Sequence, residues 1–228
     1  LNCSQNSHGI KLKSPAHSTS SSYTLTFPGT DPSADKFLKT DGSGNLSFAD
    51  AGGGRANLLN TTTVSSAVSN VDMTDVMSDT HNNYLLVIHN GIVANDAADL
   101  RMTFFSGSGT STHLANASDY RYAYQQIISD GTVNDSYNAG ISYFRPNRSG
   151  VGNASDESFN GEFHFFNFRS SSRSKLIYGK LAHVNTSGHA IGTRSVGIVK
   201  PTSAISGLRF ELSSGNIAGG TFKLYGMD

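Results

Sequence analysis

Hydrophobic and polar positions alternate with a period of two along most of this chain, in short runs separated by Gly, Asn, Asp and Ser. This period places successive side chains on opposite faces of a β-strand, and frequent turn residues are typical of antiparallel sheets. Strands are predicted at 57–65, 84–90, 100–105, 121–128, 141–144, 161–168, 175–184, 194–199, 208–212 and 221–225. Turns are predicted at Asn90-Gly91, Asp130-Gly131, Ser187-Gly188 and Ser214-Gly215-Asn216. The spacing favours an antiparallel β-sandwich with a jelly-roll-like arrangement.

One stretch departs from this alternation. At residues 72–79, Met73, Val76 and Met77 lie at the spacing of one helix face. This spacing predicts a single short helix in an otherwise β-rich chain.

The first 50 residues contain weaker strand patterns and a hairpin motif. The sequence YTLTF at 23–27 places Tyr23, Leu25 and Phe27 on one face of a strand. Residues 36–40 and 45–48 are predicted to be hairpin arms joined by the turn DGSG at 41–44. An alternative for 32–38 is a single helical turn capped by Asp31, because Asp-Pro is a favourable helix start.

The sequence AGGG at 51–54 predicts a flexible joint. It divides the chain into an extended β arm (1–50), a glycine-rich hinge (51–56) and a β-sandwich domain (57–228). The arm has too few large apolar side chains to offset the conformational entropy lost when it becomes ordered. We therefore expect it to become ordered only against copies of itself or other proteins. The expected oligomer interface consists of Ile10, Leu12, Tyr23, Leu25, Phe27, Phe37, Leu38, Leu46 and Phe48.

Composition supports the all-β prediction and argues against several function classes. Tyr, Phe, Val, Ile and Thr recur, whereas the good helix former Glu occurs only at Glu157, Glu162 and Glu211. The formal net charge is zero, which argues against a nucleic-acid partner and against a polybasic membrane anchor. The longest apolar runs are short, so no membrane insertion is expected.

The single cysteine, Cys3, excludes a disulfide framework within the chain and a metal site built from several cysteines. We interpret it as a small apolar strand residue, with an interchain disulfide in an oligomer as the alternative. No signal-peptide pattern begins at Leu1. Because the first residue is not Met, we expect a processed chain or a fragment of a longer polypeptide.

Few side chains form patterns that carry chemistry. The zinc motif HExxH, the nucleophile motif GxSxG and the phosphate-binding motif GxxxxGK[ST] do not occur. Glu162 and His164 lie on one face of a predicted strand, where an acid–base pair is the functional alternative to a polar strand face. The aspartates of DGSGN and SDGTVND lack the spacing of a calcium loop and are interpreted as tight turns. We expect no catalytic residues, no metal and no cofactor.

A cluster of tyrosines is the main candidate for ligand binding. Tyr120, Tyr122 and Tyr124 in the sequence DYRYAYQQ lie on one face of a predicted strand, and Tyr137 and Tyr143 follow. Exposed rings would suit a sugar or a protein partner, whereas buried rings would belong to the sandwich core. Core packing is the favoured interpretation, and a ligand face at Tyr120, Tyr122 and Tyr124 is the alternative.

The arm resembles a segment of virion structural proteins of marine tailed bacteriophages. In those proteins a pattern like HGxxxKSPxHS…YTLTLP…A(D/N)xxLxTDGSGxLSF precedes a distal globular domain. The matching positions are His8-Gly9, Lys13-Ser14-Pro15, His17-Ser18, 23–28 and 39–48. Phe27 stands where the pattern usually has Leu. The downstream sequences YLLVIHN, LRMTFFSGSGT, YRYAYQ and GTFKLYGMD are similar, more loosely, to the β-rich domains that follow this segment.

The resemblance implies a structural protein of the virion surface, of tail-fibre or spike type, that assembles as a homotrimer. Its expected partners are copies of itself and other virion proteins, and it implies no enzymatic activity. Two alternatives are a capsid decoration or cement protein and a host-attachment module that binds a host surface glycan.

Overall fold

The computed structural model describes residues 23–30, 36–50 and 56–227, and its contacts divide the chain into two units, Leu1–Gly53 and Gly54–Asp228. The described residues form fourteen strands and no helix. The first unit contains strands β1 (Lys36–Thr40) and β2 (Leu46–Asp50). All other strands belong to the second unit. The prediction of an all-β protein is confirmed.

In the second unit, twelve strands form two antiparallel sheets. The strands are β3 (Ala56–Val64), β4 (Asn70–Met73), β5 (Asn83–Val93), β6 (Leu100–Phe105), β7 (His113–Leu114), β8 (Tyr120–Ile128), β9 (Val133–Ile141), β10 (Phe159–Phe166), β11 (Lys175–Val184), β12 (Ala190–Val199), β13 (Gly207–Leu212) and β14 (Ile217–Met227). The larger sheet has the order β3-β14-β5-β10-β11-β12-β8-β9, and the smaller has the order β4-β13-β6-β7. A jelly roll has eight strands arranged in two Greek keys, whereas these two sheets contain eight and four strands. The jelly-roll-like arrangement therefore stays a prediction.

The core lies between the inner faces of the two sheets, as in a β-sandwich. Along β11 buried and more exposed positions alternate at every residue, because a strand directs successive side chains to opposite faces. Phe104 of the smaller sheet meets Phe165 of the larger sheet with ring centroids 5.3 Å apart and nearly perpendicular planes. Phe210 meets Phe222 across the sheets with ring centroids 5.1 Å apart and planes tilted by 54°. Such aromatic pairs add to the free energy of apolar burial.

Residues 72–79 do not form the predicted helix. Val71 and Met73 point from β4 into the core with a period of two, and the intervening Asp72 accepts two hydrogen bonds of 2.7 Å from Arg209. Asp75 then has a φ of 57°, which lies outside the right-handed helical region. Pairing with β13 therefore overrides the helical spacing of the methionines.

The sequence Asn90-Gly91 forms a bulge inside β5 rather than the predicted turn. Asn90 has a φ of 49°, and its backbone N–H donates to Asn160 Oδ1 at 2.8 Å. The register with both neighbouring strands shifts at this point. Gly91 fits because a Cβ there would overlap the Phe159 ring. The other three predicted turns do connect successive strands, with Gly131, Gly188 and Gly215 at positive φ.

The hairpin predicted in the first unit is confirmed, with β1 and β2 paired from Lys36↔Asp50 to Thr40↔Leu46. The Asp41 carboxylate accepts hydrogen bonds from the Asn45 side-chain amide at 2.7 Å and from the backbone N–H groups of Ser43 and Asn45. These bonds close the turn and hold the pKa of Asp41 below its usual value. The alternative helical turn at 32–38 is wrong for residues 36–38, which are in β1. Residues 31–35 lie outside the described part of the chain.

The YTLTF segment lies beside this turn without forming a regular strand. Its only pairing in the described residues is one parallel bridge between Thr26 and Asn45, with Leu46 N–H donating to the Thr26 carbonyl at 2.8 Å. Gly44 is required here, because a Cβ would overlap the Thr24 carbonyl and the residue has a φ of 95°. The expected strand at 23–27 is therefore reduced to a single bridge.

Close packing between β11 and the ring of Phe163 predicts a strong effect of one added methyl group. A Cβ at Gly179 would overlap Phe163, so Gly179→Ala is expected to lower the free energy of unfolding by about 1–3 kcal/mol. Gly192→Ala on β12 is the matched control, because a Cβ there meets nothing within 4 Å. Urea unfolding measures both, and equal unfolding midpoints for the two variants would contradict this packing.

Candidate functional site

The three tyrosines proposed as a ligand face belong to the core. Tyr120, Tyr122 and Tyr124 are 0%, 8% and 5% exposed. The Tyr120 hydroxyl donates to the Leu114 carbonyl at 2.7 Å and accepts from the Phe104 N–H at 3.0 Å. The alternative of a surface ligand face at these positions is therefore wrong, and the favoured interpretation, core packing, is confirmed. The alternation of β8 directs the residues between them to the opposite side of the sheet.

That opposite side, the outer face of the larger sheet, has a continuous row of largely apolar side chains. We call it the outer row. Its members are paired in register across all eight strands: Leu58, Tyr225, Leu85, His164, Tyr178, Val196, Ala123 and Tyr137. Cross-strand neighbours on one face lie about 4.5–5.5 Å apart at their Cβ atoms, so the row is one connected surface.

Exposed apolar residues of the second unit concentrate on this outer face. Among the described residues of that unit, only Val68 is a large exposed hydrophobic residue that lies elsewhere. The others are Leu58, Ile127, Val133, Tyr137, Phe166, Leu176 and Val196. The outward side of the smaller sheet instead has polar contacts, such as the ion pair in which Arg209 donates two hydrogen bonds to Asp72. A one-sided apolar surface of this kind marks a site of interaction.

The most exposed aromatic ring of the second unit is Tyr137, on β9. It is 80% exposed and lines two grooves. The polar groove has a volume of about 610 Å³ and is lined by Gln125, Asp135, Ser136 and Arg194. The apolar groove has a volume of about 380 Å³ and is lined by Arg121, Asn138, Ala139, Leu176 and Ile198. Tyr137, Ala123 and Val196 line both grooves.

A row of polar residues runs beside the outer row and enters the polar groove. Its paired members are Glu162, Lys180, Arg194, Gln125 and Asp135. Lys180 Nζ donates to Glu162 Oε1 at 2.8 Å, and this bond raises the pKa of Lys180 and lowers that of Glu162. Within the described part of the chain, the Gln125, Asp135 and Arg194 side chains form no hydrogen bond or ion pair. They are therefore available to a ligand.

Glu162 and His164 do not form an acid–base pair. The Glu162 carboxylate is occupied by Lys180, and the His164 ring stacks on Phe166 with centroids 6.1 Å apart and planes 8° apart. Both side chains lie on the outer face, as the favoured interpretation of a polar strand position predicted.

Several buried polar side chains serve the fold. Lys175 is fully buried and donates from Nζ to the Pro201 carbonyl at 3.0 Å, and its burial lowers its pKa. Asn147 is also buried and accepts a hydrogen bond from the Leu100 N–H at 2.9 Å. Gln126 donates to Thr193 between β8 and β12 at 3.1 Å. These contacts connect strands to loops and are not open to a substrate.

The turn segments that contain candidate chemistry are structural in this fold. In DGSGN the Asp41 carboxylate closes the hairpin turn, and in SDGTVND Asp130 accepts a hydrogen bond from the Thr132 N–H at 2.8 Å in a tight turn. In the described ranges no three His, Cys, Asp or Glu side chains lie together as a metal ion would require. No helix that could span a membrane occurs there either.

The described apolar residues of the arm are largely exposed. Tyr23, Leu25 and Phe27 are 46–66% exposed. In the hairpin, Leu38 pairs with Phe48 and Thr40 with Leu46, whereas Phe37 points to the opposite side. Leu46 and Phe48 are half-buried. Of the expected interface residues, Ile10 and Leu12 lie outside the described residues, as does Cys3.

Comparison with known proteins identifies no relatives. No family model matches the chain, and no curated protein or solved structure shows significant similarity to it.

Burial of His183 on β11 predicts a pH-dependent stability. Its Nε2 lies 2.8 Å from the Ser149 carbonyl, to which it donates, and burial lowers the pKa of the ring below its ordinary 6.5. Between that lowered pKa and 6.5, the unfolded chain binds a proton that the folded chain does not. The free energy of unfolding should therefore fall as pH drops below about 6.5.

The variant His183→Gln retains a donor without titrating and should lose less stability between pH 7 and pH 5. Urea unfolding at a series of pH values measures both proteins. His113, whose pKa burial also lowers, contributes to both proteins alike. Parallel pH profiles would contradict a buried neutral His183.

Proposed function

We propose that this protein is a structural component of a tailed-phage virion, a tail-fibre or spike-like surface appendage that assembles as a homotrimer. The arm oligomerises, and the sandwich is displayed outward at the virion surface. The motifs shared with marine phage virion proteins support the phage assignment. The observation that best supports a homotrimer is the exposure of the apolar side chains described in the arm.

The hairpin of the arm is not a stable structure alone. A two-stranded sheet is marginal in water, and three or more strands with a buried apolar face are needed for independent stability. Phe37 and Leu38 are 62% and 47% exposed, on opposite sides of β1. A single covering surface would bury only one of them, whereas an arm enclosed between two neighbours buries both.

A trimer supplies two neighbours for each arm through one repeated contact. Cyclic symmetry closes such a head-to-tail interface without leaving an unsatisfied surface. It also covers the unpaired backbone edges of β1 and β2, which otherwise favour uncontrolled association. The partners of the chain are thus its own copies and the virion proteins to which the assembly is attached.

A capsid decoration or cement protein is the second candidate. An arm that becomes ordered on contact with other subunits would suit the capsid as well as the tail. Glycan binding through Tyr120, Tyr122 and Tyr124 is not proposed, since those rings are buried. No enzymatic activity is proposed.

The trimer predicts a solution mass of three times the 24.2 kDa of one chain. The double variant Phe37→Ser/Leu38→Ser removes both exposed apolar contacts of β1 and is expected to give monomers. The matched control Lys39→Ser/Thr40→Ser changes exposed polar residues of the same strand and should stay trimeric. Sedimentation equilibrium measures all three. A monomeric parent chain, or a trimer that survives the apolar substitutions, would refute an arm-mediated assembly.

The location in the particle separates the two candidates. Gold-labelled antibodies against the sandwich, imaged on intact virions, should mark the tail or its fibres. Label spread over the capsid would replace the appendage with a decoration protein, and particles without label would exclude both.

A further inference from the structure

Tyr137 presents an aromatic ring to solvent from a fixed position at one end of the larger sheet. Its backbone is paired with Ala123 of β8, so the ring stands on a strand rather than on a loop. The small side chain of Ala123 beside it covers little of the ring. Burial in the sandwich does not account for this ring, because at 80% exposure it contributes little to the core.

We infer that the polar groove beside Tyr137 binds a neutral oligosaccharide, with one sugar ring stacked on the face of Tyr137. Sugar rings have apolar faces formed by C–H groups and edges formed by hydroxyls. An exposed aromatic ring with neighbouring hydrogen-bonding side chains matches both features. The volume of about 610 Å³ is within the range of small-molecule sites.

The polar side chains are placed to meet the hydroxyl edge of that sugar. Arg194, Gln125 and Asp135 form a cross-strand row that is two residues, or about 7 Å, from the outer row along the strands. Together they offer guanidinium donors, an amide that both donates and accepts, and carboxylate acceptors. A sugar hydroxyl both donates and accepts hydrogen bonds, so these side chains can bind it as donors and as acceptors.

The charges of the groove favour a neutral ligand over an acidic one. Arg194 and Asp135 carry opposite charges on the same lining. The nearby Lys180 is paired with Glu162 on the adjacent strands. The polar groove itself therefore has no net positive charge to attract uronic acids, sulfated sugars or phosphates, and Asp135 repels them, while Arg121 adds one positive charge to the lining of the apolar groove.

The apolar groove extends the site, so the ligand is an oligosaccharide rather than a single sugar. Tyr137 lines both grooves, as do Ala123 and Val196, so a chain of sugars can extend from one groove into the other. The site consists entirely of residues in 121–198 and does not depend on assembly of the arm.

Titration of the full chain with neutral hexasaccharides of glucose (maltohexaose, cellohexaose and laminarihexaose), together with an array of neutral and acidic glycans, tests this site. We expect binding to neutral members. Tyr137→Ala should weaken binding by about tenfold or more, whereas Tyr137→Phe retains the stacking ring and should stay within about threefold. Tyr225→Ala changes another ring of the outer row, outside both grooves, and should leave binding unchanged.

Binding to acidic glycans alone, no binding to any neutral glycan, or binding that is indifferent to Tyr137→Ala would overturn the inference. Sedimentation of each variant is measured in parallel. A fall in oligomeric mass with Tyr137→Ala would identify this face as a protein interface and would also overturn it. A monomeric parent that still binds neutral sugar through Tyr137 would refute the trimer and leave the sugar site in place.

Discussion

The aromatic layer between the two sheets is the contact on which the rest of this structure depends. Nine of the thirteen phenylalanines of the chain are buried in the second unit. Because the apolar side chains are concentrated there, the sandwich has a complete core of its own. The described residues of the arm include no comparable set of buried side chains, and its proposed need for neighbours follows from this unequal distribution. The difference between a self-sufficient unit and a dependent one is the basis of the functional proposal.

Strand geometry connects this core to the outer face. Each inward ring of the larger sheet fixes the outward direction of the residues on either side of it, so Tyr122 and Tyr124 place Ala123 on the surface. Pairing with β9 then places Tyr137 next to Ala123. The outer row and its grooves are consequences of a register set by burial, since a shift of one residue would exchange the two faces.

The sequence predicted most of the fold, because strands with one buried face alternate clearly, as in 175–184 and 208–212. The prediction failed where the apolar residues fitted a helical spacing as well as a strand spacing, as around Val71 and Met73 in β4. It also failed where an edge strand lacks alternating apolar residues. The inward positions of β9 include Asn134, Ser136 and Asn138, so the strand was missed and 141–144 was predicted instead. The tyrosine cluster was recognised, but strand propensity does not show whether a tyrosine ring lies on the buried face or on the exposed face of a sheet. Only the register assigns Tyr137 to the surface and its neighbours on β8 to the core.

Hydrogen exchange across a dilution series of the full chain tests the central claim, that the arm is ordered by its neighbours. Amides of β10 and β11 should stay protected at every concentration, because their core lies within one chain. Amides of β1 and β2 should lose protection on dilution, in parallel with dissociation of the assembly. Equal protection of the hairpin in dilute monomers would contradict the account.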